Sequence, residues 1–335
     1  MTHAQRPSAQ APAAVSVIIP TYNRLELLKA SLASVAAQTF RAYEIIVVDD
    51  GSTDGTAEYL AAHWPEVRCL RQENQGAAEA RNHGLREVHT EFVAFLDSDD
   101  RWEPDFLAAT VGELRRSPDK ALVYTNFVST DENGRVLGGH RKRHYEGDVT
   151  ARLFGSTFIH TSAVVARAHT IRDAGGFDGR LTHNEDYDLW LRLSLRHRFG
   201  LIDRPLCLRR CTRDGLSRNG CGPDTLLRKA VLLEDFYDHR GGKPKIEPAT
   251  ARHRLARVYY TAGKAFLRAG RPADARAALR RSMAFIPARP RTWFWYLCAR
   301  LCPNPGGNPD VRPAPAAGTP GAAGGNGNRQ GLSPL

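Results

Sequence analysis

The chain has 335 residues, of which 42% are hydrophobic and 25% charged, an ordinary balance for a globular protein. Its 47 Lys and Arg residues exceed its 36 Asp and Glu residues, and the formal charge of +11 favours anionic partners such as phosphorylated substrates, nucleic acid or an acidic membrane surface. No apolar run approaches the roughly 18 residues of a membrane-spanning helix. The six cysteines form no C-x-x-C pair, which argues against a zinc knuckle and a disulfide framework.

Composition divides the chain into four segments. Residues 1–14 lack the apolar core of a secretion signal, so we expect a disordered N-terminus and a cytoplasmic protein. Residues 15–220 carry the apolar pattern of one domain. Residues 221–302 show only helical patterns, including a tetratricopeptide-like hairpin between Ala262 and Pro287. Residues 303–335 are rich in Pro, Gly and Ala and are predicted to be a disordered tail.

The first part of the 15–220 segment alternates buried strands with amphipathic helices. The predicted elements are strands at 15–19, 44–48, 67–70 and 92–96, and helices that begin after Asn23 as cap, at 56–63 and at 77–88. Further strands at 121–126 and 161–166 and a helix at 185–197 form the second half of the domain. This order predicts an α/β fold with a Rossmann-like, mostly parallel sheet and helices on both faces, followed by a small C-terminal helical region.

Polar residues follow three predicted strands at the point where each strand ends. Residues 20–23 follow the first strand, Asp49 and Asp50 the second, and residues 97–100 the strand at 92–96. Since parallel strands end at one edge of a sheet, where open α/β sheets bind ligands, we expect these residues to lie together. Carboxylates gathered there repel one another, and their hard oxygens suit Mg²⁺ or Mn²⁺. The edge predicts a divalent cation that bridges to nucleotide phosphates.

Other interpretations of these loops are weaker. An acidic turn that caps the next helix remains an alternative for Asp49 and Asp50 alone. A calcium loop beginning at Asp50 fails because Ala61 stands where a bidentate Glu is needed. Neither a P-loop nor a G-x-G-x-x-G fingerprint follows the first strand, which argues against the usual nucleoside-triphosphate and dinucleotide sites.

Six motifs, in order and at the right spacing, resemble the family 2 glycosyltransferases of the GT-A fold. They are V-I-I-P-T-Y-N at 17–23, V-V-D-D-G-S-T-D at 47–54, N-Q-G with A-R-N at 74–82, F-L-D-S-D-D at 95–100, G-G-F-D at 175–178 and N-E-D-Y-D-L-W at 184–190. The resemblance covers residues 15–217. It implies an inverting transfer of one sugar from a nucleoside-diphosphate sugar, with UDP or dTDP as the favoured carrier, to a hydroxyl acceptor. A saccharide or lipid-linked acceptor in cell-surface polysaccharide or glycolipid assembly is expected, and no nucleic acid.

The resemblance also implies roles for residues on the donor side. Pro20 and Tyr22 would border the nucleotide, and Asp50 would accept a hydrogen bond from its base. Arg81 would lie near the nucleotide, and Asp97 would face the ribose or the sugar.

The metal and the general base follow from the same resemblance. Asp99 would ligate Mg²⁺ or Mn²⁺. Asp186 is the first choice of general base and Glu185 the reserve, although a purely helix-capping role for this acidic pair, with Asn184 as N-cap, is the alternative. Thr212 stands near the place where many relatives carry a histidine ligand, so the metal would depend on Asp99, phosphate and water. The Gln-x-x-Arg-Trp signature of processive synthases is missing.

Two other functions are disfavoured by the residues present. A sugar nucleotidyltransferase lacks its Gly-rich loop here, and an inactive transferase-fold scaffold is disfavoured by the intact acids. The histidines at 160, 183 and 197 are expected in loops or on the surface. The aromatic segment 293–297 is expected to pack in a helical core, with a peripheral contact to anionic lipid as the alternative.

Overall fold

The computed structural model describes residues 15–137, 143–211 and 222–302. The strands are β1 Val15–Thr21, β2 Glu44–Asp49, β3 Arg68–Arg71, β4 Phe92–Phe95, β5 Arg101–Trp102, β6 Lys120–Thr130, β7 Val136–Leu137, β8 Val164–Arg167 and β9 Arg198–Arg210. The helices are α1 Leu25–Ala36, α2 Thr56–His63, α3 Ala77–Glu87, α4 Phe106–Arg116, α5 Thr150–Gly155, α6 Ala168–Asp173, α7 Glu185–Ser194, α8 Pro223–Asp238, α9 Pro248–Arg268, α10 Pro272–Phe285 and α11 Pro290–Leu301. The tails expected at 1–14 and 303–335 lie outside the described residues, as does Thr212.

Within the described residues, one nine-stranded sheet organises the fold, in the order β3-β2-β1-β4-β8-β6-β9-β5, with β7 paired to β6. Strands β1 to β4 are parallel, as predicted. Beyond β4 the sheet is mixed: β8 runs antiparallel to both β4 and β6, whereas β9 is parallel to β6. The α/β class with its Rossmann-like half is therefore confirmed, and the antiparallel β8 marks where the simple parallel order ends.

Helices cover both faces of the parallel half, because alternate residues of its buried strands point to opposite sides. In β1, Ile18 belongs to the core cluster on one face, whereas Val17 and Ile19 belong to the cluster on the other. Helix α3 packs on the first face. Its Gly84 permits this approach, since an added Cβ would lie 2.8 Å from Cγ2 of Ile18.

The C-terminal helical region is also confirmed. Helices α8 and α9 join the main core through Phe236 and Leu255. Helices α9 and α10 approach closely at Gly263, where an added Cβ would lie 2.6 Å from Cγ of Leu279. None of the described helices combines the length and the apolar character needed to cross a membrane.

Candidate active site

The loops after β1 and β2 are joined by hydrogen bonds at the carboxyl edge of the sheet. Asn23 takes a left-handed backbone conformation with φ of 50°, donates its N–H to Ser52 Oγ at 2.9 Å and accepts from the Thr53 N–H at 2.8 Å. Its side chain therefore does not cap α1, and that prediction is wrong. Asp54 of the next loop caps the helix instead, by accepting from the Leu25 N–H at 2.9 Å.

Asp50 is buried at the end of β2 and holds the segment that leads into α3. Its Oδ1 accepts from Gln72 Nε2 at 2.8 Å and from the Gln75 N–H at 2.9 Å, and its Oδ2 accepts from the Gly76 N–H at 2.8 Å. A carboxylate oxygen has two lone pairs, so Oδ2 retains one acceptor position. Pro20 is buried within β1, and Tyr22 beside it is 46% exposed.

Arg81 connects the two acidic groups of the site. Its guanidinium donates to Asp97 Oδ1 at 2.6 Å and to Glu185 Oε1 at 3.0 Å, and its side chain is only 5% exposed. Burial by itself raises the pKa of Asp97, but the charges of Arg81, His160 and Arg24 outweigh it and lower that pKa. Asp97 is therefore held ionised beside an ionised Arg81.

The motif that contains Arg81 is locked to the G-G-F-D motif. Asn82 Nδ2 donates to the Phe177 carbonyl at 2.7 Å, and Asn82 Oδ1 accepts from the Phe177 N–H at 2.9 Å. The Arg81 guanidinium lies over the Phe177 ring, 5.3 Å from its centroid. Gly176 must be glycine here, because its φ is 67° and an added Cβ would lie 2.6 Å from Asn82 Oδ1.

Asp99 lies beyond β4 and forms an ion pair with Arg24 at 2.9 Å. Its side chain is 16% exposed. Burial first, and then the nearby charges of Asp100 and Asp97, raise the pKa of Asp99 to about 6, although Arg24 opposes them. Burial and the two neighbouring carboxylates thus disfavour the ionised form of Asp99 more than Arg24 favours it.

Asp100 is a buried hydrogen-bond acceptor beneath these residues. It accepts from Ser162 Oγ at 2.6 Å, from the Arg210 N–H at 2.9 Å and from His160 Nε2 at 2.6 Å. His160 lies in a loop, which was one of its two expected locations, but it is not a surface residue, since its side chain is 17% exposed. Burial lowers the pKa of His160, but Asp100 outweighs that effect and the pKa is raised.

Two sets of residues could hold a cation. Asp100, His160 and Cys207 place ligand atoms within 4.8 Å of one another. However, Asp100 already accepts three hydrogen bonds, and burial raises the thiol pKa of Cys207 well above its usual value, which opposes a thiolate ligand. At the Asp97–Asp99 edge, by contrast, no described donor reaches Oδ1 of Asp99 or Oδ2 of Asp97. These hard oxygens fit Mg²⁺ or Mn²⁺.

Glu185 and Asp186 begin α7, and Arg81 links Glu185 to Asp97. Asn184 before them has a φ of 66° and makes no side-chain cap hydrogen bond, so the predicted cap is wrong. Asp186 Oδ2 accepts from Thr161 Oγ1 at 3.1 Å, a neutral donor. Burial raises the pKa of Glu185 even though Arg81 opposes it. Within the described residues, Asn23 and Asn184 alone combine a side chain with positive φ, and both flank this site.

Sequence reasoning found the acids that meet at this edge but missed Arg24 and His160. Arg24 directly follows the P-T-Y-N motif, which was the one available signal. The Arg210 side chain donates to the Glu132 carbonyl at 2.7 Å.

The chain is similar in sequence to known proteins. The glycosyl transferase family 2 profile matches residues 16–172. Chondroitin synthase of Escherichia coli is 32% identical over 185 residues, which cover 54% of this chain and 26% of that protein. Pre-mycofactocin glycosyltransferase of Mycobacterium tuberculosis is 33% identical over 201 residues, which cover 58% of this chain and 42% of that protein. The chain thus spans less than half the length of these relatives.

Solved structures share the fold at lower identity. S. aureus TarS 1–349 in complex with UDP-GlcNAc has a TM-score of 0.60 and 19% identity, over 86% of this chain and 87% of that one. The mannosyltransferase PcManGT from Pyrobaculum calidifontis, in complex with GDP-Man and Mn²⁺, has a TM-score of 0.54 and 22% identity, over 89% and 84%. The described chain therefore has a GT-A-like fold, and residues 16–172 carry a family 2 glycosyl transferase domain.

Proposed function

We propose that the protein is an inverting, single-addition glycosyltransferase that moves a sugar from a UDP- or dTDP-sugar to the hydroxyl of a saccharide or lipid-linked acceptor. The observation that carries the proposal is the pairing of Arg81 with both Asp97 and Glu185. The Arg81 guanidinium thereby joins Asp97, which follows β4 on the proposed donor side, to Glu185, which begins α7 on the proposed acceptor side. An inverting displacement requires this kind of separation, because the attacking hydroxyl approaches the sugar carbon from the face opposite the one from which the leaving group departs.

The donor would be held by residues of the β1, β2 and β4 ends. Asp50 Oδ2 retains a lone pair that suits the N–H of a pyrimidine base. Tyr22 is exposed beside it and offers a ring for the base to contact. Asp97 and Asp99 present free carboxylate oxygens that would hold Mg²⁺ or Mn²⁺. When bound, that cation would neutralise the diphosphate that leaves with the nucleotide.

Asp186 would take the proton from the acceptor hydroxyl. Among the described residues, Asp186 accepts from two neutral donors, Thr161 Oγ1 and the Tyr187 N–H, whereas Glu185 is bound by the Arg81 cation. A carboxylate held by a guanidinium has less freedom to reorient towards an acceptor hydroxyl, so Asp186 is the better-placed general base. Glu185 then orients Arg81 from the acceptor side.

The test separates proton transfer from donor binding. We expect Asp186→Asn to lower turnover by roughly 100-fold or more and to leave nucleotide affinity within a few-fold. Asp119→Asn, an exposed acid paired with Arg198, is the matched control and should not change turnover. If Asp186→Asn kept near-normal turnover and Glu185→Gln lost it, Glu185 and not Asp186 would be the general base.

The donor class is tested with purified full-length protein. Isothermal calorimetry with UDP, dTDP and GDP, each with Mn²⁺ and with excess chelator, should show metal-dependent binding of the pyrimidine nucleotides. Release of free nucleotide from the corresponding sugars measures slow hydrolysis and identifies the sugar. Equal nucleotide affinity with Mn²⁺ and with chelator would contradict the proposed role of the metal. If none of the three nucleotides bound, the proposed nucleotide-sugar donor would be contradicted.

A further inference from the structure

The excess positive charge of the chain lies in its last three described helices. Residues 248–302 contain twelve Lys and Arg residues and one acid, Asp274. Their formal charge therefore equals the +11 of the whole chain, and the remaining residues are neutral in sum. Asp274 is itself paired with Arg271 at 2.7 Å. The basic character of this protein is thus a local property of α9 to α11 and their connections.

Helix α11 exposes an apolar stripe within this charged region. We call it the α11 face, and it comprises Trp293, Phe294, Leu297 and Leu301, which are 47, 60, 54 and 84% exposed. The expectation that segment 293–297 packs in a helical core is wrong for Trp293, Phe294 and Leu297, whereas Trp295 and Tyr296 do pack against the core of α9 to α11. At about 100° per residue, the four side chains span only about 100° of the helix circumference. An apolar stripe of this width is typical of a helix that buries one face against an apolar surface.

Basic side chains flank the α11 face on both sides. Arg300 lies about 20° beyond one edge of the stripe and Arg291 about 60° beyond the other, and both are exposed. Lys264 of α9 lies over the Trp295 ring at 5.1 Å from its centroid. Among the described residues, no carboxylate forms an ion pair with Lys264, Arg291 or Arg300. These cations therefore retain their charge for an external partner.

A shallow groove runs between α9 and α11 beside the stripe. It encloses about 470 Å³ and is lined by Tyr260, Lys264, Pro290, Arg291, Phe294 and Trp295. Two cations thus stand among aromatic rings at the border of an apolar surface. This combination matches the bilayer interface, where phosphate groups lie above hydrocarbon and where aromatic rings and long basic side chains are favoured.

We propose that the α11 face docks on an anionic phospholipid bilayer. The apolar side chains enter the boundary between headgroups and acyl chains, while Lys264, Arg291 and Arg300 contact lipid phosphates. Exposed Trp, Phe and Leu distinguish this surface from a nucleic-acid site, which needs cations and stacking rings but gains nothing from aliphatic side chains. The proposal is independent of the sugar-transfer chemistry.

The charge component is tested by sedimentation of the full-length protein with lipid vesicles. We expect binding to vesicles that contain about one third phosphatidylglycerol and much weaker binding to pure phosphatidylcholine, since each basic residue near an anionic surface adds roughly fivefold to partitioning. Arg291→Gln with Arg300→Gln should lower partitioning by about 25-fold. Arg86→Gln, at an exposed arginine of α3, is the matched control and should have no effect.

The apolar component is tested with a second pair of variants and with fluorescence. Phe294→Ser with Leu297→Ser should lower partitioning by at least about tenfold, whereas Val231→Ser, at a 51% exposed position of α8, should not. Vesicles should shift Trp emission to shorter wavelength, and Trp293→Phe should reduce that shift without preventing binding.

Three results would overturn the proposal. They are equal binding to anionic and neutral vesicles, unchanged binding by the Ser double variant, and no vesicle binding by the full chain. In the last case, sedimentation equilibrium and gel retardation would show whether the α11 face instead binds a second copy of the chain or duplex DNA.

Discussion

Replacement of Asp99 by Asn should stabilise the protein while it removes metal-dependent donor binding. The pKa of Asp99 is raised to about 6 from an ordinary 3.8, so its ionised form is disfavoured in the folded state even with Arg24 beside it. A difference of about two pH units corresponds to about 3 kcal/mol of lost folding free energy once the group is ionised. The Asn side chain removes this charge, and Arg24, whose side chain is 30% exposed, regains water.

The pH dependence gives the prediction its sign. Because the folded-state pKa lies above the unfolded one, the folded protein binds the Asp99 proton more tightly. Stability attributable to Asp99 is therefore lost as pH rises from about 4 to about 6, and the loss persists above that range. The Asn variant lacks this loss. Its advantage should be near zero at about pH 4 and up to about 3 kcal/mol at about pH 8, or roughly 5 °C in melting temperature.

The assay is urea denaturation in excess chelator at both pH values, followed by calorimetry with nucleotide and Mn²⁺. Asp119→Asn serves as control, since that carboxylate is 48% exposed and its removal should change stability little. Arg24→Gln should lower stability at about pH 8, because it withdraws the cation that is paired with Asp99 at 2.9 Å. The reasoning would be refuted if the Asp99→Asn variant were less stable than the parent protein at about pH 8, or equally more stable at both pH values.

Two packing and capping predictions follow from the fold. Gly263→Ala should lower stability by about 1–2 kcal/mol in thermal denaturation, because its Cβ would lie 2.6 Å from Leu279 Cγ. Gly112→Ala is the control, and it should raise stability by up to about 1 kcal/mol, because the nearest neighbour of its Cβ lies at 3.5 Å. If Gly112→Ala were the less stable of the two variants, the close approach of α9 and α10 would be contradicted. Asp54→Ala should cost about 1 kcal/mol through loss of the Leu25 cap, and Asp54→Asn should retain most of it; equal losses would mean that capping is not the cause.

The parallel half of the fold was predictable because its signals are local. Each of its strands is a short apolar run, each helix has its own periodicity, and right-handed crossovers leave few ways to connect them. The pairing of β6 with β9 had no such signal, since its partners are distant in the sequence and the intervening residues show no regular crossover pattern. The cap on α1 failed for a similar reason. Asn23 and Asp54 are both suitable cap residues, and only the folded loops decide between them.

Convergence of the site acids was predictable, but their partners were not. The edge rule places the ends of β1, β2 and β4 together whatever the side chains do. Arg24 and Asp99, by contrast, are 75 residues apart, and Arg81 and Glu185 are 104 apart. Neither pair is suggested by spacing. The location of the excess charge in residues 248–302 was available from a simple count along the chain, although the total charge alone concealed it.

The charges of the site explain why donor and cation would bind together. Five carboxylates and three basic groups interact at this edge, namely Asp97, Asp99, Asp100, Glu185 and Asp186 with Arg24, Arg81 and His160. With all eight groups counted at their formal charges and His160 as a cation, these side chains sum to −2. A diphosphate alone would meet repulsion there, and one divalent cation offsets the two negative charges. The cation would thus favour the diphosphate and, by linkage, the diphosphate would favour the cation to the same degree.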